Sequence, residues 1–493
     1  MTIESSLESN RVQELDDLLT ELKPKILSYI DQADPKSSQY NLKSLGTYHP
    51  PSFLKKELTQ ESNLDQPCNQ KELFKVIDKV LQFSVNTWNP GFLDKLYASN
   101  NPIGVVSDIL LSVLNTNSHV YTVSPVLSVI ENHIGKKYAK LFFKQEKCGG
   151  LTFSGGSWSN ITSLQVARSL KYPDTKVKGN QNYKFAIYSS VHCHYSVVKA
   201  AILLGIGSEN VFKVDVDENG VMDVDHLIAV IDETIKQGYT PLYLNSTAGT
   251  TVFGSYDPFT KLHEICQKYN IHHHIDGSWG GNVIFSNKYK DRLEGCQFAD
   301  SITVNPHKML GVPTTCSFLL LPNVDNFQVA MSLQAPYLFH GREEDNDDGE
   351  NYDLADGTMG CGRRADSFKF YLAWLYYGTK GFESRIDHAF EIKQYFIDKI
   401  LSNGDFELVG PKQPQCLQVC FYYNPNKLAN NTETTRFISR ELHKLGKYLV
   451  DFSPNPVNDS KGEFFRVVFN SPILTDKVID NLIDSIINIG KHL

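Results

Sequence analysis

The chain has 493 residues, 41% of them hydrophobic and 21% charged, with a formal net charge of −8. That length allows two or three domains with sizeable cores, and the balance is that of an ordinary globular protein. The acidic excess argues against nucleic acid and anionic membrane as partners, because both are recognised by basic faces.

Nine cysteines lie scattered from Cys68 to Cys420 without CxxC spacing, the usage of reduced thiols in a cytoplasmic protein. The opening MTIESSLESNRVQEL is acidic and polar, so it reads as neither a signal peptide nor an Arg-rich transit peptide. No apolar run approaches the length of a membrane span. Residues 10–35 predict a helix, with Val12, Leu15, Leu18, Leu19 and Leu22 at helical spacing and Pro24 placed to kink or restart it. Pro50, Pro51 and then QESNLDQPCNQ predict an extended arm over another surface.

Between about residues 100 and 325, short β-rich runs alternate with amphipathic stretches. The strand candidates are KFAIYSS, ENVFKVDV, PLYLNST, IHHHIDG, SITVNP and CSFLLLP. DVDHLIAVIDETIKQG and DPFTKLHEICQKYN read as helices, with Asp225 and Asp257 placed as N-caps. Such alternation predicts an α/β fold with a mostly parallel sheet, whose ligands sit beyond the carboxyl ends of the strands. His194, Thr251, Asp276 and Lys308 each fall just after an apolar run. The acidic, Gly-containing REEDNDDGENYDLADGTMG reads as a mobile loop. Beyond it, Ile386, Phe390, Ile397 and Leu401 mark a helical stripe, LQVCFYYN and EFFRVVFN read as strands, and TDKVIDNLIDSIINIG closes the chain as a helix. That mixture predicts a smaller α+β domain.

Lys308 sits in NPHKML between an apolar strand and a turn, where partial desolvation favours the free amine that a Schiff base with an aldehyde requires. Alone it would read as a snorkelling surface lysine. Asp276 at an adjacent strand end changes this, because a carboxylate there can keep a pyridine nitrogen protonated. TFSGGSWSN is a Gly-rich turn entering a helix: Gly155 and Gly156 allow close approach, and amides near Ser157 and Trp158 would face an anion. His194 could stack flat on an aromatic cofactor, with His192 a hydrogen-bonded neighbour, and Thr251 could donate to a ring hydroxyl. His272, His273 and His274 with Asp276 resemble a metal site, but consecutive strand residues face opposite ways and cannot converge on one ion. No GxGxxG follows a first strand, which removes a Rossmann reading.

The order of Gly-rich turn, His194, GTT, HHIDGSWGG and NPHKML resembles the group II pyridoxal-phosphate-dependent amino acid decarboxylases, from about residue 85 to the C-terminus. The family includes the glutamate, cysteine sulfinate and aromatic amino acid decarboxylases. The resemblance implies a fold-type I, aspartate aminotransferase-like architecture with a mostly parallel central sheet and a smaller α+β C-terminal domain. It also implies a homodimer with shared active sites and pyridoxal 5′-phosphate as cofactor. The expected organisation is a dimerisation segment over 1–90, a cofactor-binding domain over 91–367 and a small domain over 368–493.

By position, Lys308 matches the Schiff-base lysine, Asp276 the partner of the pyridinium nitrogen, His194 the stacking histidine and Thr251 the threonine near the ring hydroxyl. Gly156, Ser157 and Trp158 match the phosphate turn, and Asn305 and His307 further phosphate contacts. Ser278 takes a small position where the family usually has alanine, and Gly277 is likewise smaller than usual. Neither is expected to alter the site. NTNSHVYTVSPVLSVIE resembles the glutamate and cysteine sulfinate branch, with Asn117 in its pocket position, and FFRVVFNSP places Arg466 where that branch binds the distal carboxylate. A guanidinium suits that carboxylate because it can hold it bidentately. FLDKLYAS departs from the branch: Lys95 replaces a substrate-contacting glutamine and Tyr97 a serine. Lys95 would add a second cation or shorten the pocket. Tyr352 falls on the loop tyrosine that protonates the carbon after CO2 leaves, which favours simple decarboxylation over oxidative deamination.

The resemblance therefore implies a carboxy-lyase, with L-glutamate to 4-aminobutyrate and CO2 favoured and cysteine sulfinate or aspartate close behind. An aromatic amino acid decarboxylase or a sphingosine-phosphate-type lyase ranks lower. A catalytically dead scaffold is disfavoured because Lys308, Asp276, His194 and Tyr352 are all kept.

Overall fold

In the computed structural model, residues 10–60, 64–333, 349–454 and 459–492 are described. Part of the opening acidic segment, three residues of QESNLDQPCNQ and residues 342–348 of the acidic loop lie outside them. The chain forms two compact units, one of Met1–Ser99, Ile392–Glu407 and Phe421–Leu493, the other of Asn100–Glu391 and Leu408–Cys420.

The second unit is built on seven strands: β1 (Gly149–Phe153), β2 (Phe185–Ser190), β3 (Val211–Val214), β4 (Thr240–Thr247), β5 (His272–Gly277), β6 (Ser301–Val304) and β7 (Ser317–Leu321). Their order is β1-β7-β6-β5-β4-β2-β3. β3, β2, β4, β5 and β6 pair in parallel, and β7 runs antiparallel to both β6 and β1. All six runs taken as strands are strands. β1 was not expected, because GGLTF offers little β-branched character.

Helices cover both faces, which is why the inner strands are buried on both sides. Phe185 and Ile187 pack with Leu164 and Ala200 under helices Gly156–Lys171 and Ser196–Leu203. Ala186 and Tyr188 point the other way, toward Leu227, Ile231 and Leu262 of helices Val224–Lys236 and Phe259–Tyr269. Fully burying one such aliphatic side chain contributes about 1.5–3 kcal/mol. Leu242 is an extra residue: Ala186 pairs with Pro241 and Ile187 with Tyr243. Tyr243 is thereby set to place its hydroxyl 2.6 Å from Ser163 Oγ.

Both cap assignments need correction. Asp223, not Asp225, caps Val224–Lys236 and accepts from the Asp225 and His226 amides at 2.9 and 3.0 Å. Asp257 caps nothing. Its buried carboxylate accepts from the Met222 and Thr247 amides at 2.9 and 2.7 Å, and burial pushes its pKa up to about 6 against those bonds.

In the first unit, helix Arg11–Asp31 runs through Pro24 without a restart, and none of its residues is buried. Pro50 is extended and Pro51 starts helix Pro51–Lys55, which runs on through Lys56–Gln60, so the expected extended arm is helical over 51–60. Strands β8 (Phe406–Leu408), β9 (Gln418–Tyr423), β10 (Asp451–Ser453) and β11 (Phe464–Val468) form a sheet ordered β10-β11-β9-β8. Of the expected stripe in helix Ser367–Leu401, Ile386, Phe390 and Ile397 are buried, whereas Leu401 is 60% exposed. Among the described residues, no helix is long and apolar enough to cross a membrane.

Candidate active site

The carboxyl ends of β1, β2, β4, β5 and β6 converge on one cavity of about 190 Å³, lined by Lys308, Asp276, His194, Thr251 and the start of helix Gly156–Lys171. Lys308 does not end a strand. It is the third residue of the single helical turn Pro306–Met309 that follows β6, and it is half-buried. Asp276 is on β5, paired directly with Thr303 of β6, so the register sets the amine and the carboxylate on neighbouring strand ends.

Asp276 is 5% exposed, and its two oxygens accept from Asn160 Nδ2 at 2.8 Å and the Ser278 amide at 3.0 Å. Burial alone would raise its pKa. The His194 and Lys308 side chains and the Ser278 amide outweigh burial, and the carboxyl is held below the usual carboxylate value. A carboxylate that stays ionised in a buried cavity is suited to hold a proton on a facing ring nitrogen.

His272, His273 and His274 are neutral, and the hydrogen bonds around Asn160 run in one direction. Asn160 must turn its amide toward Asp276, so its oxygen accepts from His274 Nε2 at 3.1 Å. His274 Nδ1 then accepts from Ser301 Oγ at 2.8 Å, and Ser301 accepts from His272 Nε2 at 2.8 Å. On the other side, Asn160 Nδ2 donates to Ser196 Oγ at 3.0 Å, which leaves that hydroxyl to donate to His194 Nδ1 at 2.8 Å. Burial drives the His272 pKa down to about 4 and those of His273 and His274 to about 3. His194 is lowered as well, chiefly by burial. His273 faces the opposite side of the strand, with Nε2 at 2.9 Å from Ser246 Oγ. Among the described residues, no group of three or more His, Cys, Asp or Glu side chains could hold a metal ion.

At the other end of the cavity, Gly155 (φ 106°) turns the chain into the helix. The Trp158 amide is spent on the Gly155 carbonyl at 3.0 Å, and the indole is 49% exposed and outside the cavity lining. The helix-start amides that remain for an anion are those of Gly156 and Ser157. A Cβ on Gly156 would lie 2.7 Å from Ser278 Oγ and 2.8 Å from Asn305 Nδ2, so only glycine keeps this cradle open. The Asn305 side-chain oxygen is buried without a partner, an acceptor in place for a ligand donor. His307 Nδ1 sits 2.7 Å from the Cys316 carbonyl, and burial takes its pKa down to about 4. Gly277 is not neutral to its surroundings as expected: a Cβ there would sit 3.0 Å from the Thr303 carbonyl.

Asn117 and Tyr352 do not line this cavity. They share a different neighbourhood of the same unit. The Tyr352 ring lies 5.6 Å from that of Tyr121, and Asn117 Oδ1 accepts from the Arg363 amide at 2.8 Å. Arg363 also donates to the Ser118 and Thr152 carbonyls at 2.9 and 3.2 Å and pairs with the fully buried Glu131. Lys95 and Arg466 belong to the first unit. There Arg466 pairs with Asp451, and Lys95 bridges Asp94 and Asp451 at 3.1 Å each. Sequence reasoning did not single out Asn160, Arg363 or Asp451. Asn160 could have been found, since it follows Gly156 by one helical turn and so shares its face.

The family described as "Pyridoxal-dependent decarboxylase conserved domain" matches residues 51–424. The chain belongs to that family. An L-aspartate decarboxylase of Metarhizium robertsii is 46% identical over 505 aligned positions, covering 98% of each chain. A glutamate decarboxylase-like protein of Gibberella zeae is 34% identical, covering 85% of this chain and 87% of its own. The crystal structure of mouse CSAD superposes with a TM-score of 0.87 at 29% identity, covering 97% of this chain and 99% of that one. The decarboxylase is thus a pyridoxal-phosphate-dependent carboxy-lyase of fold type I, and its cavity fits that cofactor: an amine, an ionised carboxylate and an anion cradle lie in one enclosure.

Proposed function

We propose that this decarboxylase removes the α-carboxylate of an acidic L-amino acid, with aspartate ahead of glutamate and cysteine sulfinate. The observation that carries the reaction class is the placement of Lys308 and Asp276 around one cavity at neighbouring strand ends. The choice of acid rests on the pairing of Arg466 with family position and on the aspartate decarboxylase relative. Glutamate, favoured by the motifs alone, becomes the second choice.

Bound pyridoxal phosphate supplies a ring that takes up the electron pair left behind as CO2 departs. Lys308 would hold the cofactor through its aldehyde. Asp276 keeps the ring-nitrogen proton in place, and Asn160 and the Ser278 amide keep that carboxylate aimed. His194, with Nδ1 accepting from Ser196 Oγ, offers a flat face to the ring. The Gly156 and Ser157 amides with Asn305 and His307 take the phosphate, and Thr251 the ring hydroxyl. Tyr352 delivers a proton to the α-carbon, and Asn117 and Arg466 position the substrate. The working form is a homodimer. The apolar stripe of helix Arg11–Asp31, with Val12 80% and Leu15 50% exposed, is a surface a second copy could cover. All nine cysteines are unpaired, in keeping with a reducing cytoplasm.

Amine products from aspartate, glutamate, cysteine sulfinate, tyrosine and 2,4-diaminobutyrate test the reading. Acidic substrates should dominate, and Lys308→Ala should abolish turnover together with the yellow colour of bound cofactor. Dominant aromatic amine products would remove Arg466 from its assigned role, and a colourless wild-type protein lacking cofactor would sink the whole reading.

A further inference from the structure

The ring of His194 is gripped along one edge by a residue two places on. Ser196 is fully buried, and it sets two groups against His194 Nδ1: its hydroxyl oxygen at 2.8 Å and its backbone amide at 3.3 Å. The amide can only donate. The hydroxyl can turn either way, and Asn160 sets its direction. One hydrogen of Asn160 Nδ2 goes to Asp276 Oδ2 at 2.8 Å and the other to Ser196 Oγ at 3.0 Å, while the Asn160 oxygen accepts from His274 Nε2 at 3.1 Å. An ionised carboxylate only accepts, so the Asn160 amide cannot be reversed. Ser196 Oγ thus receives a hydrogen from Asn160 and has its single hydrogen left for His194.

Two donors therefore converge on Nδ1. A proton on that nitrogen would meet the Ser196 amide hydrogen and turn the serine hydroxyl away from its acceptor, in a place closed to water. The ring nitrogen left to carry a proton is Nε2.

We propose that Ser196 is a positioning residue which, directed by Asn160, holds His194 as a neutral ring with its proton on Nε2. The lock belongs to the folded chain alone; its bearing on decarboxylation rests on the reading of His194 as the residue stacked on the cofactor ring. There it keeps the stacked face uncharged. It also removes His194 as a shuttle between its two nitrogens, because a ring whose Nδ1 takes up no proton passes none across.

The groups around the ring pull in both directions. Burial is the largest influence and opposes charge on the ring, as do Lys308, from the turn after β6, and Lys199, on helix Ser196–Leu203; Asp276, from β5, favours it. The Tyr195 ring lies 4.3 Å away. Losing the Ser196 hydroxyl removes a bond made only to the neutral ring and leaves the pull of Asp276 less opposed.

The test reads His194 itself. Heteronuclear NMR of the histidine-labelled full chain, as holoenzyme and after cofactor removal, reports which ring nitrogen is protonated and the pH at which the ring charges. The His194 signal is assigned by its loss in His194→Gln. Wild type should show Nε2 protonated and Nδ1 bare. Ser196→Ala should raise the charging midpoint by about one pH unit, the worth of one hydrogen bond to the neutral form, and Ser196→Thr should restore it. Where Ser196→Ala fails to fold, Ser196→Cys keeps the volume with a weak donor and should move the midpoint the same way. In the holoenzyme, kcat of the Ala variant should fall on the acid side while KM holds. A proton on Nδ1 in wild type, or an unmoved midpoint in the Ala or Cys variant, overturns the proposal. An intact lock in a chain that decarboxylates no acidic amino acid overturns the functional reading and leaves the lock standing.

Discussion

Gly156→Ala separates cofactor binding from folding, because the two respond in opposite directions. The added Cβ would lie 2.7 Å from Ser278 Oγ and 2.8 Å from Asn305 Nδ2, well inside ordinary carbon contact distances. Ser278 can rotate away about one bond. Asn305 keeps its backbone, 1% exposed with its carbonyl held by Asn282 Nδ2 at 2.9 Å, and gives way only by swinging its side-chain amide within the cradle. The cradle therefore narrows, and one charge-assisted hydrogen bond to the phosphate is lost or bent, a cost of about 1.5–3 kcal/mol. That corresponds to cofactor affinity weaker by roughly 10- to 150-fold. The helix itself gains, since Gly156 is its first residue and alanine is favoured over glycine by up to about 1 kcal/mol in a helix. Titration of the apo-protein with pyridoxal phosphate, followed by absorbance, should show the weakening, while the apo-protein melts at or above the wild-type temperature. Wild-type cofactor affinity would refute the cradle. A lower apo Tm would refute the claim that Gly156 serves the ligand and not the fold.

Three other outcomes follow from the same geometry. Asn160→Leu removes a donor to the Asp276 carboxylate at 2.8 Å and should lower kcat by about 10- to 100-fold, worth 1.5–3 kcal/mol, with cofactor retained; an unchanged kcat would dismiss Asn160 as a positioning residue. Glu131→Gln leaves the Arg363 guanidinium buried without its counter-charge and should cost about 3–5 kcal/mol in urea unfolding; a loss under about 1 kcal/mol would show the pair to be dispensable. His272, His273 and His274 stay neutral in the fold down to about 4, 3 and 3, against 6.5 in an unfolded chain. Their stabilisation is present above pH 6.5 and is lost as pH falls toward those values, at up to about 1.4 kcal/mol per pH unit for each. His273→Gln, on the strand face away from the cavity, should flatten the dependence of Tm on pH in that window, and an unaltered slope would count against it.

The strand and helix alternation of the sheet unit could be read directly because its strands are short apolar runs separated by helices with one apolar stripe. The clustering of Lys308, Asp276, His194 and Thr251 around one cavity followed, since parallel strands must deliver their carboxyl-end residues to one side. Where reading failed, the deciding partner lay far away in the chain. Asp257 resembles a cap by position, but its acceptors are used by the Thr247 and Met222 amides, 10 and 35 residues distant. Asp225 lost the cap to Asp223 because both stand beside the same helix start, and only backbone geometry separates them. Trp158 was taken as a phosphate residue from its place in the turn, yet a tight first turn consumes its amide. β8 and β10 are three residues each, too short to show a period of two. Lys95 was visible as a departure, but its meaning was not, because Asp451 lies 356 residues away.

Arg363 reaches Ser118 and Thr152 through their main-chain carbonyls, and Asn117 through its own main-chain amide. Main-chain partners place no demand on side-chain identity, so sequence drift at Ser118 leaves this anchor intact. The side chains the anchor does require are those of Arg363, Glu131 and Asn117, whose Oδ1 accepts the Arg363 amide. The segment carrying Tyr352 is tied to the segment carrying Asn117 by a second contact, the Tyr121 amide donating to Asp353 at 2.9 Å. The positions proposed for proton delivery and substrate positioning thus sit on segments held together by two neighbouring contacts. Substitutions around these two contacts can therefore vary the pocket while the backbone path of both segments stays fixed.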